Sequence, residues 1–131
     1  MAKLLIVDDE ENIREVVREY AEFSGFDVEE AGDGREAVSL CRINDYDLII
    51  MDIMMPNMNG WDATRKIRSM QRPDAGTIPI IAMSANAFAE DIINSRISGM
   101  NRHIAKPLDA ESVLNVFKEC INISENKEKN K

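Results

Sequence analysis

The sequence predicts an α/β fold in which five parallel strands alternate with five helices. Three observations support this prediction. Short runs that are apolar throughout recur along the chain, segments with apolar residues at helical spacing follow them, and turns rich in Gly or Pro separate the two kinds of segment. Strands without polar alternation are typical of parallel sheets, because helices cover both faces of such a sheet.

The first half of the chain contains three strand–helix units. The predicted strands are 4–7, about 27–31 and 48–51. The helices that follow them are indicated by apolar residues three or four positions apart: Ile13, Val16, Val17, Tyr20 and Phe23 in the first, Ala37, Leu40 and Cys41 in the second, and Ala63, Ile67 and Met70 in the third. Gly25 is expected to end the first helix.

The second half contains two more units. Predicted strands cover 78–83 and 103–105, and predicted helices begin near Ala87 and near Asp109, a suitable N-cap. We expect one domain over residues 1–123, because 131 residues are about the modal size of a single domain. Residues 124–131 are polar and charged, and we expect a disordered charged tail there.

Right-handed crossovers between these units predict a five-stranded parallel sheet in the order 2-1-3-4-5, with helices on both faces. This is a flavodoxin-like sandwich. The predicted strand ends, near residues 8, 31, 52, 84 and 106, leave room for one helix and two loops in every interval.

Composition excludes several classes of protein. The chain has 16 basic and 24 acidic residues, a formal net charge of −8, which argues against a nucleic-acid-binding face. We see no signal peptide and no apolar run of the about 18–20 residues that span a membrane, so we expect a cytoplasmic location. Cys41 and Cys120 are far apart and are expected to be reduced thiols.

Polar side chains follow four of the predicted strands. Asp8 and Asp9 follow the first, Asp52 the third, Ser84 the fourth and Lys106 the fifth. Each has a structural explanation of its own: acidic residues at a helix start, a helix cap, or a strand-to-helix turn. Together they are harder to explain in this way, because the carboxyl ends of parallel strands lie at one edge of the sheet, where ligands bind.

These residue types suit phosphoryl transfer. Crowded carboxylates raise one another's pKa unless a cation intervenes, and Mg²⁺ prefers such oxygen ligands, with Mn²⁺ as a substitute. Lys106 is a suitable phosphate partner, and Ser84 can donate a hydrogen bond to an oxyanion. An aspartate beside a metal ion can then act as the nucleophile that accepts a phosphoryl group.

Four motifs in this order resemble the receiver domain of two-component response regulators. They are Val7-Asp8-Asp9-Glu10, Met51-Asp52-Ile53-Met54-Met55-Pro56 with Gly60 four residues on, Ser84-Ala85, and Lys106-Pro107. The resemblance covers about residues 3–123, and it implies the same flavodoxin-like fold. Each motif is weak alone, but the set is specific.

The resemblance implies a role for each matched position. Asp52 matches the phosphoacceptor, Asp9 a direct Mg²⁺ ligand and Asp8 a ligand acting largely through water. The backbone carbonyl of Met54 matches a further metal ligand. Ser84 matches the switch hydroxyl, and Lys106 the phosphate-binding lysine. The resemblance also implies a cis peptide bond before Pro107, and it places Met54 and Asn86 where side chains tune dephosphorylation.

One position departs from the family pattern. Three residues before the lysine the family commonly has Tyr or Phe as a conformational switch, whereas this chain has His103, its lone histidine. We hypothesise that His103 still reports the state of Ser84 and makes the output mildly pH-dependent. The stretches 84–88 and 99–103 are similar to those of receivers attached to hybrid histidine kinases.

The resemblance implies a phosphoacceptor domain that assists its own phosphorylation and dephosphorylation but is not an enzyme. A sensor histidine kinase would be the donor. Only a short charged segment follows Ile123, so we expect output by docking, through the face of the fourth helix, fifth strand and fifth helix. The docked protein is either a downstream target or a histidine phosphotransfer protein in a relay. The protein is expected to be a monomer or a phosphorylation-dependent dimer.

Three other classes fit less well. An Mg²⁺-dependent phosphatase with an aspartyl nucleophile carries D-x-D after its first strand, whereas here Asp8 and Asp9 are adjacent. A flavodoxin binds a phosphate in its first loop, which the acidic 8–10 segment would repel. A receiver-like domain that only binds partners is disfavoured, because all the site positions hold competent residues.

Overall fold

The five-stranded parallel sheet has the strand order β2-β1-β3-β4-β5. It is seen in a computed structural model that describes residues 2–85 and 88–129, with side chains described as far as Cys120. The elements alternate along the chain: β1 Lys3–Val7, α1 Glu11–Phe23, β2 Asp27–Ala31, α2 Gly34–Ile43, β3 Leu48–Asp52, α3 Gly60–Arg68, β4 Ile80–Ser84, α4 Ala89–Ser98, β5 Arg102–Ala105 and α5 Ala110–Lys129. The predicted fold class and strand order are confirmed.

The sheet separates two apolar layers. One layer packs β-strand side chains against α2 and α3, for example Ile49 against Ala37 and Ile67. The other packs them against α1 and α5, where Phe26 and Phe117 meet edge to face with ring centroids 5.4 Å apart. Every residue of β3 and β4 is buried, which explains why these strands are apolar up to the residue that ends them.

The first helix differs in detail from the sequence prediction, and the predicted start of the fourth is not tested. The apolar stripe predicted for α1 includes Val16 and Phe23, but these side chains are 39% and 85% exposed; the helix buries Val17, as predicted, and Ala21, which was not predicted. Phe23 lies in the last turn, where the apolar stripe has rotated away from the sheet. The described part of α4 begins at Ala89, and the predicted start near Ala87 lies outside the described residues.

The last helix continues to Lys129, across the segment where the sequence predicts a tail. The domain boundary at residue 123 and the disorder of residues 124–131 stay predictions. Within the part of the chain that the structure describes, no helix has the length and apolar character needed to cross a membrane.

Two side chains of α3 tie this helix to its neighbours. Trp61 Nε1 donates a hydrogen bond to Ser95 Oγ of α4 over 3.0 Å. Arg68 donates to the backbone carbonyls of Gly99 and Ala75 and to Asn101 Oδ1, at donor–acceptor distances between 2.8 and 3.1 Å. These contacts fix α3 relative to α4 and to the turn before β5.

Candidate functional site

The parallel register brings the predicted site residues to one edge of the sheet. Val7 pairs with Met51, Asp52 with Met83, and Ser84 with Ala105. Four strands thus end at nearly the same level. The structure therefore brings together all the side chains that the sequence predicts at strand ends: Asp8, Asp9, Asp52, Ser84 and Lys106.

Three carboxylates form the centre of the site. One oxygen from each of Asp8, Asp9 and Asp52 lies within 4.8 Å of the other two. Asp8 and Asp52 are buried, whereas Asp9 is exposed at the mouth. Asp8 Oδ1 also accepts a hydrogen bond from the Glu10 amide at 2.9 Å, which fixes its side chain. A cluster of three oxygen donors that is open on one side suits a hard divalent cation.

Lys106 provides the positive charge inside the site. Its Nζ lies 2.9 Å from Asp8 Oδ2 and 3.6 Å from Asp52 Oδ1, and its side chain is only 14% exposed. Burial by itself would lower the pKa of Lys106, but the hydrogen bond to Asp8 and the charge of Asp52 outweigh it, so its pKa is raised. The ammonium group is therefore charged at neutral pH.

One ammonium does not balance the acidic cluster. Burial and the nearby Asp8 charge raise the pKa of Asp52 to about 7, although Lys106 acts in the opposite direction. Burial likewise raises the pKa of Asp8, against the Glu10 amide and Lys106. Both carboxylates are thus hard to ionise together, and a bound cation would remove that difficulty. The residues present fit a divalent metal ion.

The segment between β3 and α3 returns to the end of β3. The Gly60 amide donates to the Ile53 carbonyl at 2.9 Å, and a Cβ on Gly60 would overlap the carbonyl oxygen of Asp52. Only glycine permits this close approach. Met54 lies between Ile53 and Gly60 in this segment, and its side chain is 74% exposed.

His103, the predicted switch position, contacts the hydroxyl group of Ser84. Ser84 Oγ and His103 Nε2 are 2.8 Å apart. Burial lowers the pKa of His103, with the Asp91 charge acting in the opposite direction. The sequence predicted His103 on the fifth strand and Ser84 directly after the fourth; the structure includes Ser84 in β4 and shows the hydrogen bond between the two side chains.

Two further predicted positions complete the comparison. The Lys106–Pro107 peptide bond is cis, the isomer expected from the sequence. Asn86, predicted to tune dephosphorylation, lies outside the described residues. The hydrogen bond between Asn57 and Asp33 was not predicted; its only signal in the sequence is that Asn tolerates a positive φ in a tight loop.

Comparison with known proteins agrees with the fold. The sequence profile of the response regulator receiver domain matches residues 4–118. The chain belongs to this family, the receiver domains of two-component response regulators.

Curated relatives are longer than this chain. The response regulator ArlR of Staphylococcus saprophyticus is 36% identical over 114 residues, which are 87% of this chain and 50% of that protein. The CAI-1 autoinducer sensor kinase/phosphatase CqsS of Vibrio cholerae is 36% identical over 113 residues, 86% of this chain and 16% of that protein. The chain thus spans half or less of the length of these relatives.

Solved structures match over nearly their whole length. The chemotaxis protein CheY4 of Vibrio cholerae has a TM-score of 0.84 and 30% identity, covering 92% of this chain and 98% of that one. The receiver domain of the sensor histidine kinase PA1611 of Pseudomonas aeruginosa has a TM-score of 0.83 and 31% identity, with the same coverage. A chemotaxis protein and the receiver domain of a sensor histidine kinase are therefore both similar to this chain.

Proposed function

We propose that this protein is a phosphorylatable signalling switch that accepts a phosphoryl group from the phosphohistidine of a sensor histidine kinase onto Asp52. The observation that carries the proposal is the cluster of Asp8, Asp9 and Asp52 around Lys106 at the carboxyl ends of the strands. This cluster holds a nucleophile, oxygen donors for a metal ion and a cation for phosphate within one small site.

Asp8, Asp9, Asp52 and the backbone carbonyl of Met54 would hold Mg²⁺, and Mn²⁺ would substitute for it. The ion would neutralise the carboxylates and the equatorial phosphoryl oxygens. This assignment is supported by the donor chemistry and by the PA1611 receiver domain, whose structure has a magnesium ion in its active site cleft. The assignment of the individual ligands is part of the proposal.

The transfer step uses groups of this chain directly. A carboxylate oxygen of Asp52 forms a bond to phosphorus while the phosphorus–nitrogen bond to the donor histidine breaks, and the donor imidazole leaves with the electron pair. Lys106 binds a phosphoryl oxygen, since its Nζ already lies 3.6 Å from Asp52. Asp52 is a substrate of the reaction and is regenerated by hydrolysis, so the protein assists its own turnover without acting as an enzyme on other molecules.

The switch follows from the contact of Ser84 with His103. When the Ser84 hydroxyl turns toward the phosphoryl group, its 2.8 Å hydrogen bond to His103 changes, and this alters the surroundings of His103 on β5.

The protein then signals by docking through α4, β5 and α5. Exposed apolar side chains of α4 and its N-cap support the assignment: Phe88, Ile92, Ile93 and Ile97. We place the protein in the cytoplasm, as a monomer or a phosphorylation-dependent dimer, without nucleic acid or membrane partners.

The proposal is tested by incubating the protein with Mg²⁺ and acetyl phosphate and measuring its intact mass. A gain of one phosphoryl group is expected, and it should be lost in Asp52→Asn and in the presence of a chelator. No gain under conditions where Mg²⁺ binds would contradict phosphorylation from a small donor. Hydrolysis of acetyl phosphate without a retained adduct would favour the aspartyl phosphatase alternative.

A relay function is the second candidate. It is supported by the similarity to a part of the sensor kinase CqsS and to the receiver domain of the sensor kinase PA1611. In a relay the phosphoryl group moves from Asp52 to the histidine of a phosphotransfer protein. Adding such a protein to the phosphorylated chain distinguishes the two: rapid loss of the adduct with gain on the added protein supports the relay, and retention supports the switch.

A further inference from the structure

The segment between β3 and α3 is held at its two ends and by two methionines that pack against the core. At one end the Ile53 amide donates to the Met83 carbonyl at 3.0 Å, and at the other the Gly60 amide donates to the Ile53 carbonyl. The residues between belong to no helix or strand; Met55 and Met58 are partly buried, whereas Met54, Pro56 and Asn57 are exposed. The proposed metal ligand Met54 lies in this segment, so its carbonyl needs some further support to hold a fixed position.

The middle of the segment has one such support. Asn57 has a φ of 67°, in the left-handed region that asparagine adopts more readily than most residues other than glycine. Its side-chain amide donates a hydrogen bond to Asp33 Oδ2 at 3.1 Å. The contact joins two loops that are 24 residues apart in the sequence.

Asp33 is itself held firmly. It is the N-cap of α2, and its Oδ1 accepts a hydrogen bond from the Glu36 amide at 2.9 Å. The Glu36 amide and the Asn57 amide lower the pKa of Asp33, which keeps the carboxylate charged at neutral pH. One oxygen therefore caps a helix while the other holds the loop. The next residue, Gly34, lies so close to the Met58 carbonyl that a Cβ would come within 2.5 Å of it.

We propose that Asn57, held by Asp33, is a positioning residue that fixes the 53–59 loop so that the Met54 carbonyl faces the three carboxylates. The inference rests on the proposed function, since it concerns the same metal site. Mg²⁺ demands near-ideal octahedral geometry. A loop that moves freely would have to be ordered when the ion binds, and this ordering would weaken binding.

The test compares variants that separate the hydrogen bond from backbone strain. Asn57→Gly removes the hydrogen bond but adopts a positive φ easily. Asp33→Ser keeps a good N-cap for α2, but its hydroxyl is too short to serve both partners. Asn94→Ala, an exposed asparagine on α4, is the matched control. Mg²⁺ affinity is measured by titration calorimetry with MgCl₂, and amide hydrogen exchange of residues 53–59 is followed without metal.

We expect Asn57→Gly and Asp33→Ser each to raise the Mg²⁺ dissociation constant by about 3- to 10-fold, the range for one hydrogen bond. The double variant should show no further increase, because both changes remove the same contact. Amide exchange in the loop should become faster in each, while the urea midpoint of unfolding changes little. Asn94→Ala should match the wild type in all three measurements.

Unchanged Mg²⁺ affinity and unchanged loop exchange in Asn57→Gly would overturn this inference while leaving the proposed function intact. Additive losses in the double variant would also overturn it, because they would show that the two residues act independently. A wild-type protein that fails to bind Mg²⁺ would instead overturn the proposed function itself.

Discussion

At the scale of single residues, His103 has two ring nitrogens in different surroundings. Nε2 lies 2.8 Å from Ser84 Oγ, whereas Nδ1 is buried and has no hydrogen-bond partner among the described residues. A buried N–H without an acceptor costs more than an unpaired acceptor nitrogen. We therefore expect a neutral ring with its proton on Nε2, which donates to Ser84 Oγ.

This arrangement predicts how His103 titrates. Because burial lowers its pKa and the Asp91 charge raises it, the midpoint should lie below 6.5, and Asp91→Asn should lower it further. The measurement is an NMR titration of the imidazole, which needs no assignment because the chain has one histidine. Asp27→Asn, on the opposite edge strand, is the control and should leave the midpoint unchanged. A midpoint above 6.5 would contradict the prediction.

The same site suggests a pH-dependent output. Protonation at Nδ1 would give His103 a second ring N–H to satisfy, while Nε2 would donate to Ser84 Oγ from a charged ring. If phosphorylation shifts the last helix equally at pH 6 and pH 8, the hypothesis of a pH-dependent output fails.

At the scale of secondary-structure elements, Arg68 links α3 to two loops. Its guanidinium group donates to the carbonyls of Gly99 and Ala75 and to Asn101 Oδ1, which in turn accepts from the Ile80 amide at the start of β4. Burial lowers the pKa of Arg68, and the nearby Asp74 acts in the opposite direction. The planar group can satisfy several acceptors at once because its donors point in fixed directions.

Replacing Arg68 by lysine should therefore be costly even though the charge is kept. One ammonium cannot reach both loops, so buried carbonyls lose their donors. We expect Arg68→Lys to lower the free energy of unfolding by about 1–3 kcal/mol in urea denaturation. Arg42→Lys, at an exposed position in the last turn of α2, should change it by less than about 0.5 kcal/mol. Equal effects of the two substitutions would show that the hydrogen bonds of Arg68 do not contribute to the free energy of unfolding.

The packing of each element explains whether the sequence could predict it. β3 and β4 are buried along their whole length, so their apolar runs were unambiguous. The outward position of Phe23 was not predictable, because helical spacing does not show where the last turn leaves the sheet. Asp8 and Asp52 were predictable as neighbours, since parallel strands end at one edge. The contact of Asn57 with Asp33 was not, because it depends on how two loops meet in space.

At the scale of the whole molecule, the acidic site opposes folding at neutral pH. The chain has a formal net charge of −8, and within the site the pKa of Asp52 is raised to about 7. In the unfolded chain this carboxyl group has an ordinary pKa near 3.8. Between these two values the folded protein binds more protons than the unfolded one, so the contribution of Asp52 to stability falls as pH rises.

The raised pKa of Asp52 predicts a free energy of unfolding that depends on both pH and Mg²⁺. Without Mg²⁺, Asp52→Asn should raise the free energy of unfolding at pH 8 by on the order of 2 kcal/mol, and the difference from wild type should shrink toward pH 4. Mg²⁺ should stabilise the wild type at pH 8 far more than the variant. Thermal unfolding at pH 4, 6 and 8, with MgCl₂ or with a chelator, provides the measurement. A difference that stays constant with pH would show that Asp52 does not titrate in this range.

The hydrogen bond between Trp61 and Ser95 gives the protein a built-in optical probe. Trp61 is the lone tryptophan, and it directly follows Gly60, which packs on the Asp52 carbonyl. Its indole N–H is bonded to α4. Indole emission responds to local polarity, so the fluorescence of this one side chain would report both on the loop that follows Asp52 and on α4. Stopped-flow experiments on this chain would need no added dye.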